Sequence, residues 1–215
     1  MKFITKQKEP AEFREWKELA CEDWQPDWDN LAGIPKNKLH KALLAEQGHI
    51  CCYCNRLIDE TDSHIEHLVP RSQDSEKELD YNNMLASCQR RLKPKEPRHC
   101  GALKDEWYDT ALMVSPLQED CETRFLFIEN GDMLPASEAD PAAQATIEKL
   151  GLNIDKLRAM RSKAIDSIID VLDGLTSEEI KAWIAGLQKK NSEGRFEPFC
   201  QTLIQILQSY TRGIR

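Results

Sequence analysis

The chain has 215 residues, 31% charged and 40% hydrophobic, with a formal net charge of −8. No apolar run approaches the ~20 residues needed to span a bilayer, and the first residues soon meet charges and Pro10. A membrane protein and a secretory leader are therefore not expected, and the expected location is cytoplasmic. The acidic balance also argues against a protein that coats nucleic acid over its whole surface.

Three units are expected in chain order: a helical lead-in over 1–48, a metal-rich core over 49–135 and a helical region over 136–215. In the lead-in, Phe13, Trp16 and Leu19 stand at helical spacing before Trp24-Gln-Pro-Asp-Trp28 interrupts the pattern. Trp16, Trp24 and Trp28 read as core or interface anchors. A second helix begins near Pro35, carries Leu39, Leu43 and Leu44 on one side, and stops at Gly48. Beyond the core, Arg124 to Leu134 reads as a β-hairpin with a two-residue turn at Asn130-Gly131, placed to extend the core's small sheet. Asp140-Pro141 opens the helical region. A long helix then carries Ile154, Leu157, Met160, Ile165, Ile168 and Leu172 and ends at Gly174. Thr176-Ser-Glu-Glu179 is a capping box for the next helix, and a last one carries Phe199, Leu203, Ile204, Leu207 and Tyr210.

Eight cysteines in a reducing compartment suggest metal binding or packing before disulfides. Cys51 and Cys54 have the Cys-x-x-Cys spacing in which two sulfurs of one tight turn face one ion. Cys88 and Cys100 complete a four-thiolate structural zinc site, although eleven residues separate them where a standard knuckle has two. Cys21, Cys52, Cys121 and Cys200 read as small packing residues. The window from Gln89 to Lys104 holds six basic residues, Arg90, Arg91, Lys93, Lys95, Arg98 and Lys104, against Glu96 alone. A basic island of this kind on an acidic body suits focused contact with nucleic-acid phosphates.

His64-Ile-Glu-His67 lies inside this cysteine frame. In a strand His64 and Glu66 share one face and His67 takes the other, and a bend after Glu66 is expected to bring them to one phosphate. His67 titrates near neutrality and suits general-base work. Glu66 suits a hard cation, Mg²⁺ or Mn²⁺. Asn83 suits the third group that orients a base, by a hydrogen bond to His67.

The order Cys51-Cys-Tyr-Cys54, His64-Ile-Glu-His-Leu-Val-Pro70, Asn83-Met-Leu-Ala-Ser-Cys88 and Cys100-Gly-Ala-Leu-Lys104 resembles the ββα-metal HNH endonuclease family. Leu44-Ala-Glu-Gln-Gly-His-Ile-Cys51, Leu79-Asp-Tyr-Asn-Asn-Met-Leu-Ala-Ser-Cys-Gln89 and His99-Cys-Gly101 are most similar to its PtuB branch, the HNH effectors of Septu-type and retron-associated anti-phage systems. The resemblance implies an α+β fold, mainly helical around a small zinc-stabilised ββα-metal core, with a hairpin and a C-terminal bundle. It implies a general base at His67, a metal-binding acid at Glu66 and a bracing Asn83. It also implies a partner ATPase of the ABC/SMC-like (PtuA) type and, in a retron, a reverse transcriptase with its msDNA. Many family sites carry a second metal ligand directly after the last cysteine, where this chain has Gly101. His64, His99 and Asp105 are the candidates to replace it, the two histidines ahead. A zinc-stabilised module that binds nucleic acid or protein without hydrolysis is the alternative reading.

Overall fold

Phe13 is fully buried and anchors the first helix, α1 (Ala11–Lys17), which Pro10 precedes in extended backbone. Leu19 falls outside α1 and is 65% exposed. The helical spacing read through it therefore ends one turn early. Helix α2 (Gly33–Glu46) buries Leu39, His40, Leu43 and Leu44 and turns out of the helix at Gly48, whose φ is +61°. A Cβ at Gly48 would collide with the ring of Phe196, so glycine is required there on two counts. These coordinates are a computed structural model that describes residues 1–172 and 174–211.

Two short strands form the central hairpin, β1 (Ser63–His67) antiparallel to β2 (Met84–Cys88), with His64 opposite Ser87, Glu66 opposite Leu85 and His67 opposite Met84. The four-residue helix α3 (Gly101–Lys104) packs beside β2. The side-chain amide of Gln47 lies along β2: its Oε1 accepts from Ala86 N at 2.7 Å and its Nε2 donates to Ala86 O at 2.9 Å.

The expected second hairpin exists as β3 (Phe125–Phe127) and β4 (Met133–Pro135), but it differs from expectation in two ways. Its connection is the five residues between Phe127 and Met133, not a two-residue turn, because Phe127 pairs with Met133. Nor does it extend the central sheet; the two hairpins are separate sheets. The reason lies in its edges. Gln205 accepts from Phe127 N at 3.1 Å and donates to Phe125 O at 2.8 Å. Asn153 does the same for Met133 on the far edge, at 2.9 and 2.7 Å. Each outer ladder is thus interrupted by a side-chain amide that occupies part of the backbone a further strand would pair with.

Helix α4 (Pro141–Lys149) starts where Asp140 accepts from Ala143 N at 2.9 Å, and α6 (Ser177–Leu187) starts at the Thr176–Glu179 capping box. Between them runs α5 (Asp155–Leu172), and α7 (Cys200–Thr211) follows. Ile165, Ile168, Ile180, Leu203 and Leu207 of α5, α6 and α7 form their own apolar cluster, the expected small bundle. The larger core gathers residues from Met1 to Leu157 around the central hairpin. The whole is a mixed helix and small-sheet fold, with seven α-helices and two antiparallel hairpins among the described residues. None of those helices is long and apolar enough to cross a membrane.

Candidate active site and metal centre

The turn after α2 sets up the cysteine cluster. An isolated bridge between Ile50 and Leu57 draws the chain back on itself. Asn55, at φ +61°, lets the turn close with its N–H on Cys51 O at 3.0 Å. Cys51 and Cys54 thereby face Cys88 at the end of β2 and Cys100 at the start of α3. The four Sγ atoms lie within 4.8 Å of one another, all buried, and Cys54 Sγ is 3.9 Å from Cys88 Sγ. A zinc ion bound at ~2.3 Å by four thiolates holds its sulfurs about 3.8 Å apart, so the cluster has the size and donor set of a structural zinc site. Cys100 sits at φ +54°, a conformation costing about 1–3 kcal/mol that a bound metal would help to hold. Of the other cysteines, Cys52, Cys121 and Cys200 are buried as expected and Cys21 is exposed.

His99 belongs to this cluster. Its Nδ1 is 3.2 Å from Cys100 Sγ and 3.6 Å from Cys88 Sγ, and its buried Nε2 has no hydrogen-bond partner. Burial pushes the imidazole down to about 4, so it is neutral and its Nδ1–H can donate to sulfur.

On the other side of β2, Glu66 is buried and fully partnered. Its Oε1 accepts from Tyr53 OH at 3.1 Å and faces Lys104 Nζ at 3.0 Å; its Oε2 faces His64 Nε2 at 3.2 Å. Burial alone would raise the Glu66 pKa, but the His64 hydrogen bond and the Lys104 ammonium outweigh it, and the group is held below the ordinary carboxylate range. Tyr53 is pushed well up by burial and by Glu66, so it stays a phenol and donates. The Lys104 side chain is 1% exposed and also donates to His67 O at 3.0 Å. It therefore does not reach a solvent-borne phosphate, contrary to its place in the basic island; the ammonium is spent on Glu66 and the backbone of β1.

His67 points its ring away from that cluster. Its Nε2 is 2.9 Å from Glu78 O, and the ring meets Trp28 edge-on, with centroids 4.4 Å apart. A carbonyl only accepts, so Nε2 carries the proton and Nδ1 the lone pair of the neutral ring. Burial lowers the His67 pKa below 6.5, which keeps that lone pair available near neutrality. The chain bends at Leu68 and Val69, after His67 and not after Glu66.

Asn83 does not touch the His67 ring. Its Oδ1 accepts from Val69 N at 2.8 Å and its Nδ2 donates to Val69 O and Lys77 O at 3.0 and 3.2 Å. Those bonds close the loop from Val69 to Lys77, and the next carbonyl, Glu78 O, is the one that holds the imidazole. The direct hydrogen bond expected from Asn83 to His67 is therefore not formed, because the Asn83 amide is spent on Val69 and Lys77.

Gly101 occupies the position after the last cysteine. A Cβ there would collide with Glu66 Oε2 and stand 2.8 Å from His64 Nε2. Glycine is what allows α3 to press against the carboxylate, while Gly101 N donates to Ser87 Oγ at 3.0 Å. Gly101→Ala is expected to lower stability by about 1–3 kcal/mol and to displace Glu66. A fall in Tm together with reduced cleavage measures it; an unchanged protein would mean that the packing around Glu66 is loose.

Of the three candidates for a second ligand, His64 alone contacts Glu66; His99 contacts sulfur, and Asp105 is exposed. Arg90, Arg91, Lys93, Lys95 and Arg98 all lie exposed on the loop between β2 and α3. Gln89 closes that loop, donating to Pro97 O at 3.0 Å and accepting from His99 N at 2.8 Å. Sequence reasoning did not find Trp28 or the Glu78 carbonyl as parts of the site, and it took Lys104 for a phosphate contact where the structure has it on Glu66. Backbone groups leave no signal in a sequence, and Trp28 looked like any core aromatic.

Residues 51–90 match the HNH endonuclease family, and this segment holds Glu66, His67, Asn83 and three of the four clustered cysteines. The candidate HNH endonuclease of retron Vc95 from Vibrio cholerae serotype O1 biovar El Tor is 27% identical over 162 residues, covering 72% of this chain and 75% of that protein. With a neutral imidazole and a buried carboxylate on the strand that this match spans, the chain carries an HNH endonuclease domain and is a nuclease.

Proposed function

We propose that the chain hydrolyses phosphodiester bonds of DNA or RNA, with His67 as general base and with Glu66 and His64 holding one Mg²⁺ or Mn²⁺. The observation that carries this reading is the His67 ring, fixed through Nε2 by Glu78 O with its Nδ1 lone pair unspent. That nitrogen takes the proton from the attacking water. Glu66 Oε2 and His64 Nε2 are 3.2 Å apart, close to the ~3.0 Å between neighbouring ligands in an octahedral shell of radius ~2.1 Å, so the pair fits a hard cation. Such a cation, when bound, stabilises charge on the phosphate and on the departing 3′ oxygen. Tyr53 and Lys104 hold Oε1 and so aim Oε2. Asn83 keeps the loop behind His67 closed, the cysteine cluster carries structural zinc, and His99 serves that cluster. Arg90, Arg91, Lys93, Lys95 and Arg98 contact the nucleic-acid backbone.

The Vibrio cholerae relative's retron name supports a wider role. In that reading the chain is the nuclease effector of an anti-phage system, controlled by an ABC/SMC-like ATPase of the PtuA type and, in a retron, accompanied by a reverse transcriptase and its msDNA. The test is cleavage of plasmid DNA and of total RNA by purified protein with and without that ATPase, with added Mg²⁺ or Mn²⁺ or neither. Cleavage that needs the cation and falls about 10²-fold or more in Glu66→Gln supports the reading. Binding without cleavage in every arm would favour the non-catalytic zinc module.

A further inference from the structure

A cleft of about 250 Å³ separates the first turn of α2 from β1. Trp28, Lys36, Asn37, His40, His64 and Arg90 form most of its wall, and none of its lining residues is acidic. That is unusual for this molecule. Four other clefts each carry carboxylates: Glu46 and Glu122 in one, Glu122 in the next, Glu9 and Asp80 in the third, Asp59 and Asp62 in the last. On a chain of net charge −8, a depression lined by two cations and no carboxylate concentrates positive potential locally.

The cations are also free to act. Neither Lys36 nor Arg90 is ion-paired to a carboxylate among the described residues. Lys36 Nζ rests 4.7 Å from the centre of the Trp28 ring, and Arg90 is steadied by donating to Glu60 O at 2.8 Å. The cleft also borders both halves of the proposed catalytic pair. Trp28 is the ring on which His67 packs, and His64 is the ring that faces Glu66 Oε2.

We infer that this cleft is a phosphate subsite, in which Lys36 and Arg90 hold a backbone phosphate of the nucleic-acid strand beside the one being cut. Lys36 comes from the N-terminal segment and Arg90 from the loop after β2, so the segment before the HNH match builds part of the substrate site. The assignment rests on the reading of His67 and Glu66 as the cleavage centre.

The experiment measures binding and cleavage separately. Fluorescent single-stranded DNA, duplex DNA and RNA are titrated with His67→Ala protein, which binds without cutting and keeps its zinc because no chelator is needed. The same titration is made with Lys36→Glu/Arg90→Glu and with Lys163→Glu/Lys189→Glu, both in the His67→Ala background. The second pair reverses the same charge at exposed positions outside the cleft. The cleft variant should bind at least one strand type about tenfold or more weakly, with a shallower salt dependence, and the control should stay within about threefold. The arm that responds identifies the strand. Equal loss in both variants, no loss in the cleft variant, or no binding by the parent protein each overturns the subsite. Cleavage is then compared in the protein that retains His67. If it cuts nucleic acid and the cleft variant cuts with unchanged kcat/KM, the subsite falls while the cleavage centre stands. If it cuts nothing although the cleft variant alone loses binding, the cleavage centre falls while the subsite stands.

Discussion

Cys51→Ser is expected to unfold the core around β1 and β2 and to remove bound zinc, from one equivalent per chain to none. Serine oxygen is a poor substitute for a thiolate on zinc, and Cys51 Sγ is packed on the frame it organises, 3.5 Å from Cys88 N and 3.8 Å from Ser87 Oγ. The sheet it anchors has two strands of five residues each, too small to persist alone. A structural zinc contributes about 10 kcal/mol or more to small folds, which is comparable to the whole stability of a domain, about 5–15 kcal/mol. Elemental analysis for zinc and far-UV circular dichroism of Cys51→Ser measure the effect. Cys121→Ser, at a buried cysteine outside the cluster, should keep its metal. A zinc-free Cys51→Ser protein with wild-type dichroism would show that the cysteines merely pack.

His67→Ala should leave the fold and zinc intact while lowering cleavage about 10²–10⁴-fold, the usual worth of a positioned base. The ring is bonded to one backbone carbonyl and touches one indole edge, so its removal opens little of the core. The pH profile supplies a second readout. A general base works when neutral, so activity is lost as pH falls through its pKa in the folded enzyme. Burial places that pKa below 6.5, and the acid limb should therefore have its midpoint below 6.5. Loss of zinc in His67→Ala, or an acid limb well above 6.5, would make His67 a structural residue or assign the base elsewhere.

The site was legible wherever chemistry follows from spacing. Cys51 and Cys54 declare a metal turn, and Cys88 and Cys100 complete the cluster across the eleven intervening residues. Alternation along β1 put His64 and Glu66 on one face, where they meet. Helix starts at Asp140 and Thr176 were equally plain, because a cap is a local interaction. What stayed hidden depends on long-range geometry. Asn83 acts on Val69 and Lys77 instead of on the imidazole, and Lys104 turns inward to Glu66 although the other five cations of the basic island are on the surface. The hairpin at β3 and β4 was visible, but its separation from the central sheet was not, since Gln205 and Asn153 lie far along the chain.

Those amides have a consequence for how copies of the chain meet one another. Phe125-Leu-Phe-Ile128 is an uncharged run of aromatic and branched residues, the composition that stacks into fibrils when an edge is open. A backbone edge repeats its donors and acceptors, so one strand templates the next. A glutamine or asparagine satisfies one such set and then ends in an aliphatic stem that offers nothing further. Gln205 and Asn153, with Gln47 on the central hairpin, thus interrupt sheet growth where they bind, and an incoming strand would meet a broken edge instead of a continuous template.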